Sequence, residues 1–192
     1  IRIYGISPEN ENVCLRVKNF KPYAYVQLPN RADDNFVRKI TDQVMRFATS
    51  AKKVYKFHMY NFSNEKIGKK SEFLHCTFET KVKMLDMAYH LRRGITVHGE
   101  TVIIKTFETM ANPILQMVSL RDLPMSGWIA YKPDRPVPKE SVMTSCDEEY
   151  FVKWESLKRS KRIEQVIPKC MAFDMEVNSE HDNQMPSDGP VD

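Results

Sequence analysis

The sequence predicts an α+β protein, a mostly antiparallel sheet with two helices on one face, and three observations carry that reading. Runs alternating apolar and polar residues with the period of a strand recur through residues 1–106. Two stretches between them place apolar residues at helical spacing. Asp33 or Asp34 stands ahead of the first stretch and Thr80 ahead of the second, each able to cap a helix N-terminus.

In order, Ile1–Ile6 alternates like a strand, Ser7–Asn12 has turn chemistry and Val13–Val17 resumes as a strand, so the three form a hairpin. Pro22 fixes its own φ and pushes Lys21 towards an extended shape, and Tyr23–Pro29 follows as a third strand. The first helix turns Phe36, Val37, Ile40, Val44, Met45, Phe47 and Ala48 inward and Arg38, Lys39, Asp42 and Arg46 to water. Lys53–Phe62 reads as a poorly alternating strand, Ser63–Lys70 as a polar basic loop and Phe73–Phe78 as a strand. Thr80 opens a helix to Arg93, with Val82, Leu85, Ala88, Tyr89, His90 and Leu91 on its inner side, and Gly94 ends it. Ile95–Thr106 supplies a last strand. This order is broadly that of ferredoxin-like and RNA-recognition (RRM) folds. The aromatic signature that stacks bases in the latter is missing, so Tyr23, Tyr25, Phe57, Phe73 and Phe78 read as core residues.

From Phe107 the character changes. Asn112-Pro113 opens a short helix through Leu115, Val118 and Leu120, which Leu123-Pro124 stops. Gly127–Tyr131 reads as a strand with Trp128 as an interface anchor, and Lys132–Pro138 as a stiff proline-rich connector without regular structure. Asp147–Arg162 reads as a partial helix or a surface excursion, and Asn178–Asp192 as a polar loop.

Of 192 residues, 42% are hydrophobic and 28% charged, the balance of an ordinary globular chain. No run reaches the length of a membrane-spanning helix, so no membrane partner is expected. The chain starts inside a strand-like pattern and stops at Pro190-Val191-Asp192 without a closing element, so it reads as a piece of something longer. Cys14, Cys76, Cys146 and Cys170 show no C-x-x-C spacing, which favours free thiols in a reducing compartment. The five histidines lack ligand spacing, and no phosphate-binding glycine loop, nucleophile elbow or Cys/His pair is present.

The net charge of +4 is unevenly placed. Residues 1–106 hold 19 Lys and Arg against 10 Asp and Glu, whereas residues 107–192 hold 10 against 15. A basic first part beside an acidic second part suits one that grips a polyanion and one that holds a metal or a partner; solvated surface would give the same imbalance. Candidate phosphate contacts in the first part are Lys66, Lys69, Lys70, Arg92 and Arg93, and Lys158–Arg162 is a further basic run.

The most pointed chemistry lies in Cys170–Val177, which alternates like a short strand. Met171, Phe173, Met175 and Val177 fall on one face, while Asp174 and Glu176 share the other. Two carboxylates at i and i+2 repel each other unless a hard divalent cation sits between them. That is half of a metal-dependent phosphodiester-cleaving site, although Asp-x-Glu also occurs on solvated strand faces.

Four stretches, in order, resemble the N-terminal part of the family B (replicative) DNA polymerases, especially those of large DNA viruses and related eukaryotic enzymes. Ile3-Tyr4-Gly5 with Phe20-Lys21-Pro22-Tyr23-Ala24-Tyr25-Val26 resembles the opening hairpin and the F-x-P-Y-x-Y-V strand. Phe107-Glu108 with Pro113–Met117 resembles the Y-E-S…R-F-M approach to the exonuclease domain, and Leu120–Ile129 the stretch ending in S-W-I. Phe173-Asp174-Met175-Glu176 resembles the first exonuclease motif, F-D-I-E. Met175 replaces the usual Ile, a tolerable apolar swap, and Gln116 stands where the family often has Arg, which speaks against a basic role there.

The resemblance implies an N-terminal template-side domain over 1–106 and, over 107–192, the truncated start of a ribonuclease-H-like α/β domain for 3′→5′ proofreading. Asp174 and Glu176 would be catalytic and the two leading ligands of a pair of Mg²⁺ (or Mn²⁺) ions. The later exonuclease motifs and the polymerase domain are not in these residues, so the piece alone is expected to be inactive. Implied partners of the parent are primer-template DNA and dNTPs, with a processivity factor as a candidate. Its implied location is intracellular, in the nucleus or at a viral replication site of an infected host cell. The alternative from another class is a non-catalytic RRM-like module that binds nucleic acid.

Overall fold

The computed structural model describes residues 1–29, 32–57, 70–97 and 99–164, and the account below concerns the unit Ile1–Arg162. It is α+β, as predicted, but its strands divide among several sheets. β1 (Arg2–Ile6) and β2 (Asn12–Lys18) form the expected hairpin. β3 (Tyr23–Gln27), α1 (Asp34–Met45), β4 (Ser50–Phe57), β5 (Lys70–Thr77) and α2 (Lys81–Arg92) follow. Then come β6 (Ile95–Val97), β7 (Glu100–Val102), β8 (Thr106–Phe107) and α3 (Pro113–Leu120). β9 (Ile129–Ala130), β10 (Pro133–Pro136), β11 (Glu148–Lys153) and β12 (Lys158–Arg159) complete the described elements.

The three α-helices among the described residues each start where the sequence places a cap. Asp33 Oδ1 accepts from the Phe36 amide at 2.6 Å, Thr80 Oγ1 from the Lys83 amide at 3.3 Å and Asn112 Oδ1 from the Ile114 amide at 2.9 Å. Gly94, just past α2, has φ +93°, and a Cβ there would meet Thr101 Cγ2 at 2.5 Å. Both constraints demand glycine.

α1 and α2 cover one face of an antiparallel sheet ordered β4-β5-β3-β8. Ile40 and Val44 of α1 and Met84, Met87 and Leu91 of α2 are wholly buried against Ala24, Val26 and Cys76. The inner stripe of α2 is therefore Met84, Met87, Ala88 and Leu91, at i, i+3, i+4 and i+7. Val82 and Tyr89, expected inside, are exposed, because they sit off that stripe by a full side of the helix. Phe73 and Phe78 are buried as expected, but Phe57 at the end of β4 is exposed.

The β1–β2 hairpin does not join this sheet. It pairs instead with residues from the second half in the order β1-β2-β11-β10, with β2 and β11 parallel. The regular structure of Asp147–Arg162 is thus mostly strand, with a single 3₁₀ turn at Trp154–Ser156 as its helical part. Glu149, Phe151 and Lys153 alternate with Tyr150 and Val152, and the latter two turn towards a second core of Val13, Leu15, Val17, Met117, Leu123 and Leu157. The proline-rich connector is also partly regular. β10 lies at the sheet edge, where a missing proline N–H costs no ladder bond. The charge divide at residue 106 consequently does not divide the sheets, since β8 pairs with β3 and β11 with β2.

Candidate functional site

Asp174, Glu176, Lys66 and Lys69 lie outside the described residues. Lys70 is not in a loop but is the first residue of β5, opposite Phe57, with its Nζ 5.3 Å from the ring centroid. Arg92 closes α2, and Arg93 follows with its guanidinium 5.6 Å from the Tyr89 ring. Arg93 lines a shallow open hollow with Phe47, Asp86, His90 and Gly94. Among the described residues no hydrogen bond, ion pair or ring contact joins Lys70 to either arginine. No group of three or more His, Cys, Asp or Glu side chains among them could hold a metal ion.

What the structure does show is how residues leading towards the acidic motif are fastened to the first half. Gln116 on α3 is buried, its Nε2 donating to the Tyr23 carbonyl at 2.7 Å and its Oε1 accepting from the Tyr23 amide at 3.3 Å. β8 pairs with β3 only at Tyr25 and Val26, so the outward peptide groups of Tyr23 lie past the end of that ladder. The primary amide continues it with one donor and one acceptor. An arginine could only donate. The sequence did not point to this role, because Gln116 and Tyr23 are 93 positions apart.

A second fastening is ionic. Glu149 on β11 is buried; it meets Arg16 Nη2 of β2 at 2.5 Å and accepts from the Thr144 amide at 2.9 Å, the Met143 amide at 3.3 Å and the Thr144 hydroxyl. The Thr144 hydroxyl, and after it Arg16, hold this carboxyl below the usual carboxylate range against the opposing effect of burial. Arg16 also donates to the Ser141 carbonyl at 2.7 Å, so one ion pair pins the loop between β10 and β11 across the sheet.

On the β4-β5-β3-β8 face away from the helices, Lys52, His75, Tyr25 and Phe107 stand in one row, one from each strand. The His75 ring lies 5.2 Å from both Tyr23 and Tyr25, and partial burial, then Lys56, lowers its pKa. Tyr23 is raised chiefly by burial, then by Glu108.

Residues 104–191 match the family model for the DNA polymerase family B exonuclease domain, a range that includes α3, β9 to β12 and the positions of Asp174 and Glu176. The DNA polymerase 037L of Invertebrate iridescent virus 6 is 30% identical over 213 residues, covering 95% of this chain. Its second half is thus similar to the exonuclease domain of the family B DNA polymerases, and nearly the whole chain is similar to a viral DNA polymerase. The DNA polymerase of Acanthamoeba polyphaga mimivirus is 24% identical over 214 residues and covers 100% of the chain. The chain spans 17% and 12% of the lengths of these two relatives. Among solved structures, a family B DNA polymerase from the hyperthermophilic archaeon Pyrobaculum calidifontis shares the fold with a TM-score of 0.59 at 14% identity, over 88% of this chain and 19% of that one.

Proposed function

We propose that these residues are the amino-terminal portion of a DNA-directed DNA polymerase and that Asp174 and Glu176 are the first two acids of its 3′→5′ proofreading site. The observation that carries this is the match of residues 104–191 to the family B exonuclease domain, with both acids inside it. Their carboxylate oxygens, two positions apart in a sequence that alternates like a strand, are the donor type a hard divalent cation takes. Bound Mg²⁺ or Mn²⁺ would supply Lewis-acid activation of water and stabilisation of the leaving 3′ oxygen. The chain's own part is to hold that charge with Asp174 and Glu176, while the Gln116 and Glu149 fastenings tie α3 and β11 to β3 and β2.

In this reading residues 1–106 serve the template side and residues 107–192 open the exonuclease domain. The parent acts on primer-template DNA and dNTPs, with a processivity factor as partner, at a viral replication site or in the nucleus. Lys66, Lys69, Lys70, Arg92 and Arg93 are proposed phosphate contacts, though Lys70 and Arg93 also lie close to Phe57 and Tyr89. The deciding experiment compares the full-length protein with its Asp174→Ala/Glu176→Ala variant for excision of a mismatched primer 3′ end in Mg²⁺ and for primer extension. Loss of excision with extension retained is expected. Undiminished excision refutes the assignment.

A further inference from the structure

The outer face of the β1-β2-β11-β10 sheet gathers positive charge from strands far apart in sequence. The register sets Arg2, Arg16, Phe151 and Arg135 in one row, one residue from each strand. Lys18 and Lys153 are partners in the same β2–β11 ladder, two residues further on. Lys18 Nζ lies 3.4 Å from the Phe151 ring centroid, and the guanidinium carbons of Arg135 and Arg16 lie 5.3 Å and 5.9 Å from it. The ring's quadrupole offsets part of the repulsion among these cations, but it removes none of their charge.

Acid is scarce beside them. Glu149 is committed to Arg16 and to the Met143–Thr144 backbone. Asp134, the bulged residue of β10, makes no ion pair with them, and Lys18, Arg135 and Lys153 form none among the described residues. Arg135 and Lys153 are exposed and Lys18 is half-exposed. A patch of uncompensated cations around an aromatic ring is complementary to a phosphodiester backbone. Neighbouring strands lie about 4.8 Å apart and the sheet twists, so the row forms a shallow saddle, which a flexible single strand can follow and a stiff duplex meets only along a line.

We infer that this face is a binding track for single-stranded DNA, with Lys18, Arg135 and Lys153 neutralising successive phosphates. The inference rests on the polymerase reading only for the choice of DNA as the polyanion. The track lies on other strands than Lys66, Lys69, Lys70, Arg92 and Arg93, and it is separate from Asp174 and Glu176.

The test is fluorescence anisotropy of a labelled oligo(dT) strand with the full-length protein across a NaCl series. The Lys18→Gln/Arg135→Gln/Lys153→Gln variant is compared with Arg46→Gln/Lys83→Gln/Lys105→Gln, which removes the same charge elsewhere. The face variant should bind more weakly, with a slope of log affinity against log salt shallower by about 2, since each phosphate contact on a single strand contributes about 0.7. The control should stay near wild type. Equal losses in both variants, no loss in either, or no binding by the wild type overturns the inference. A duplex that binds more tightly than oligo(dT) and depends equally on the three residues overturns the single-strand assignment. Thermal melts exclude a folding defect, and the charge-preserving Lys18→Arg/Arg135→Lys/Lys153→Arg variant should retain binding. Excision by the Asp174→Ala/Glu176→Ala variant is scored separately: normal excision with a responsive face refutes the proofreading site alone, and lost excision with an unresponsive face refutes the track alone.

Discussion

The side-chain amide of Gln116 closes both peptide hydrogen bonds of Tyr23, donating to its carbonyl at 2.7 Å and accepting from its amide at 3.3 Å. Because the pair is buried, truncation leaves two peptide groups without partners or water. Gln116→Ala should therefore cost about 2 kcal/mol, the range of an unsatisfied buried polar group. Gln116→Arg should cost more, since it cannot accept from Tyr23 and buries a charge. Chemical denaturation of the wild type and the two variants checks the order; equal stability of all three would show the amide to be dispensable.

Glu149 makes stability pH-dependent. Its carboxyl is held below the usual range in the fold, so the contribution is present above the unfolded carboxylate pKa of about 4.3 and is lost as pH falls through the lower folded value. Glu149→Gln should melt at lower temperature near neutrality, and the gap to wild type should narrow steadily on acidification below pH about 4.3. A gap independent of pH would mean that packing rather than charge is what Glu149 contributes.

His75 shifts through the neutral form. Its folded pKa is lowered by burial and then by Lys56, so the unfolded chain takes up its proton first as pH falls past about 6.5, and acidification there costs stability. An NMR titration of its ring should show a midpoint below about 6.5. Lys56→Gln should move that midpoint upward. No movement would show that Lys56 contributes nothing to the shift.

The thiols should separate by reactivity. Cys76 is wholly buried, and burial pushes its thiol up to about 12; Cys14 is wholly buried and also raised, chiefly by burial. Cys146 is half-buried. Labelling of the native protein with a thiol reagent, mapped by mass spectrometry, should modify Cys146 well before Cys14 or Cys76. Early labelling of Cys76 would show that its sheet opens readily.

What was legible in the sequence was local. The caps at Asp33, Thr80 and Asn112 act over two or three residues, and so does the hairpin turn at Ser7–Asn12. The acidic pair Asp174 and Glu176 is an equally local pattern, but it lies outside the described residues. β10 and β11 were misread because their regularity comes from β2, which supplies the central strand of their sheet from the other end of the chain. The cations around Phe151 were missed for the same reason: Lys18 and Arg135 become neighbours only through strand register. Gln116 was noted for the arginine it replaces, whereas its use depends on where β8 stops.

The parallel pairing of β2 with β11 has a consequence in time. Asn12 and Asp147, bonded at one end of that ladder, are 135 positions apart. A ribosome adding residues in order completes β1, β2 and even the whole β4-β5-β3-β8 layer before β11 exists. Until Lys153 emerges, one edge of β2 is an unpaired template, and loop-closure entropy makes this the slow contact of the unit. The nascent chain must therefore keep its first hairpin in waiting until a strand from 135 positions downstream arrives to relieve it.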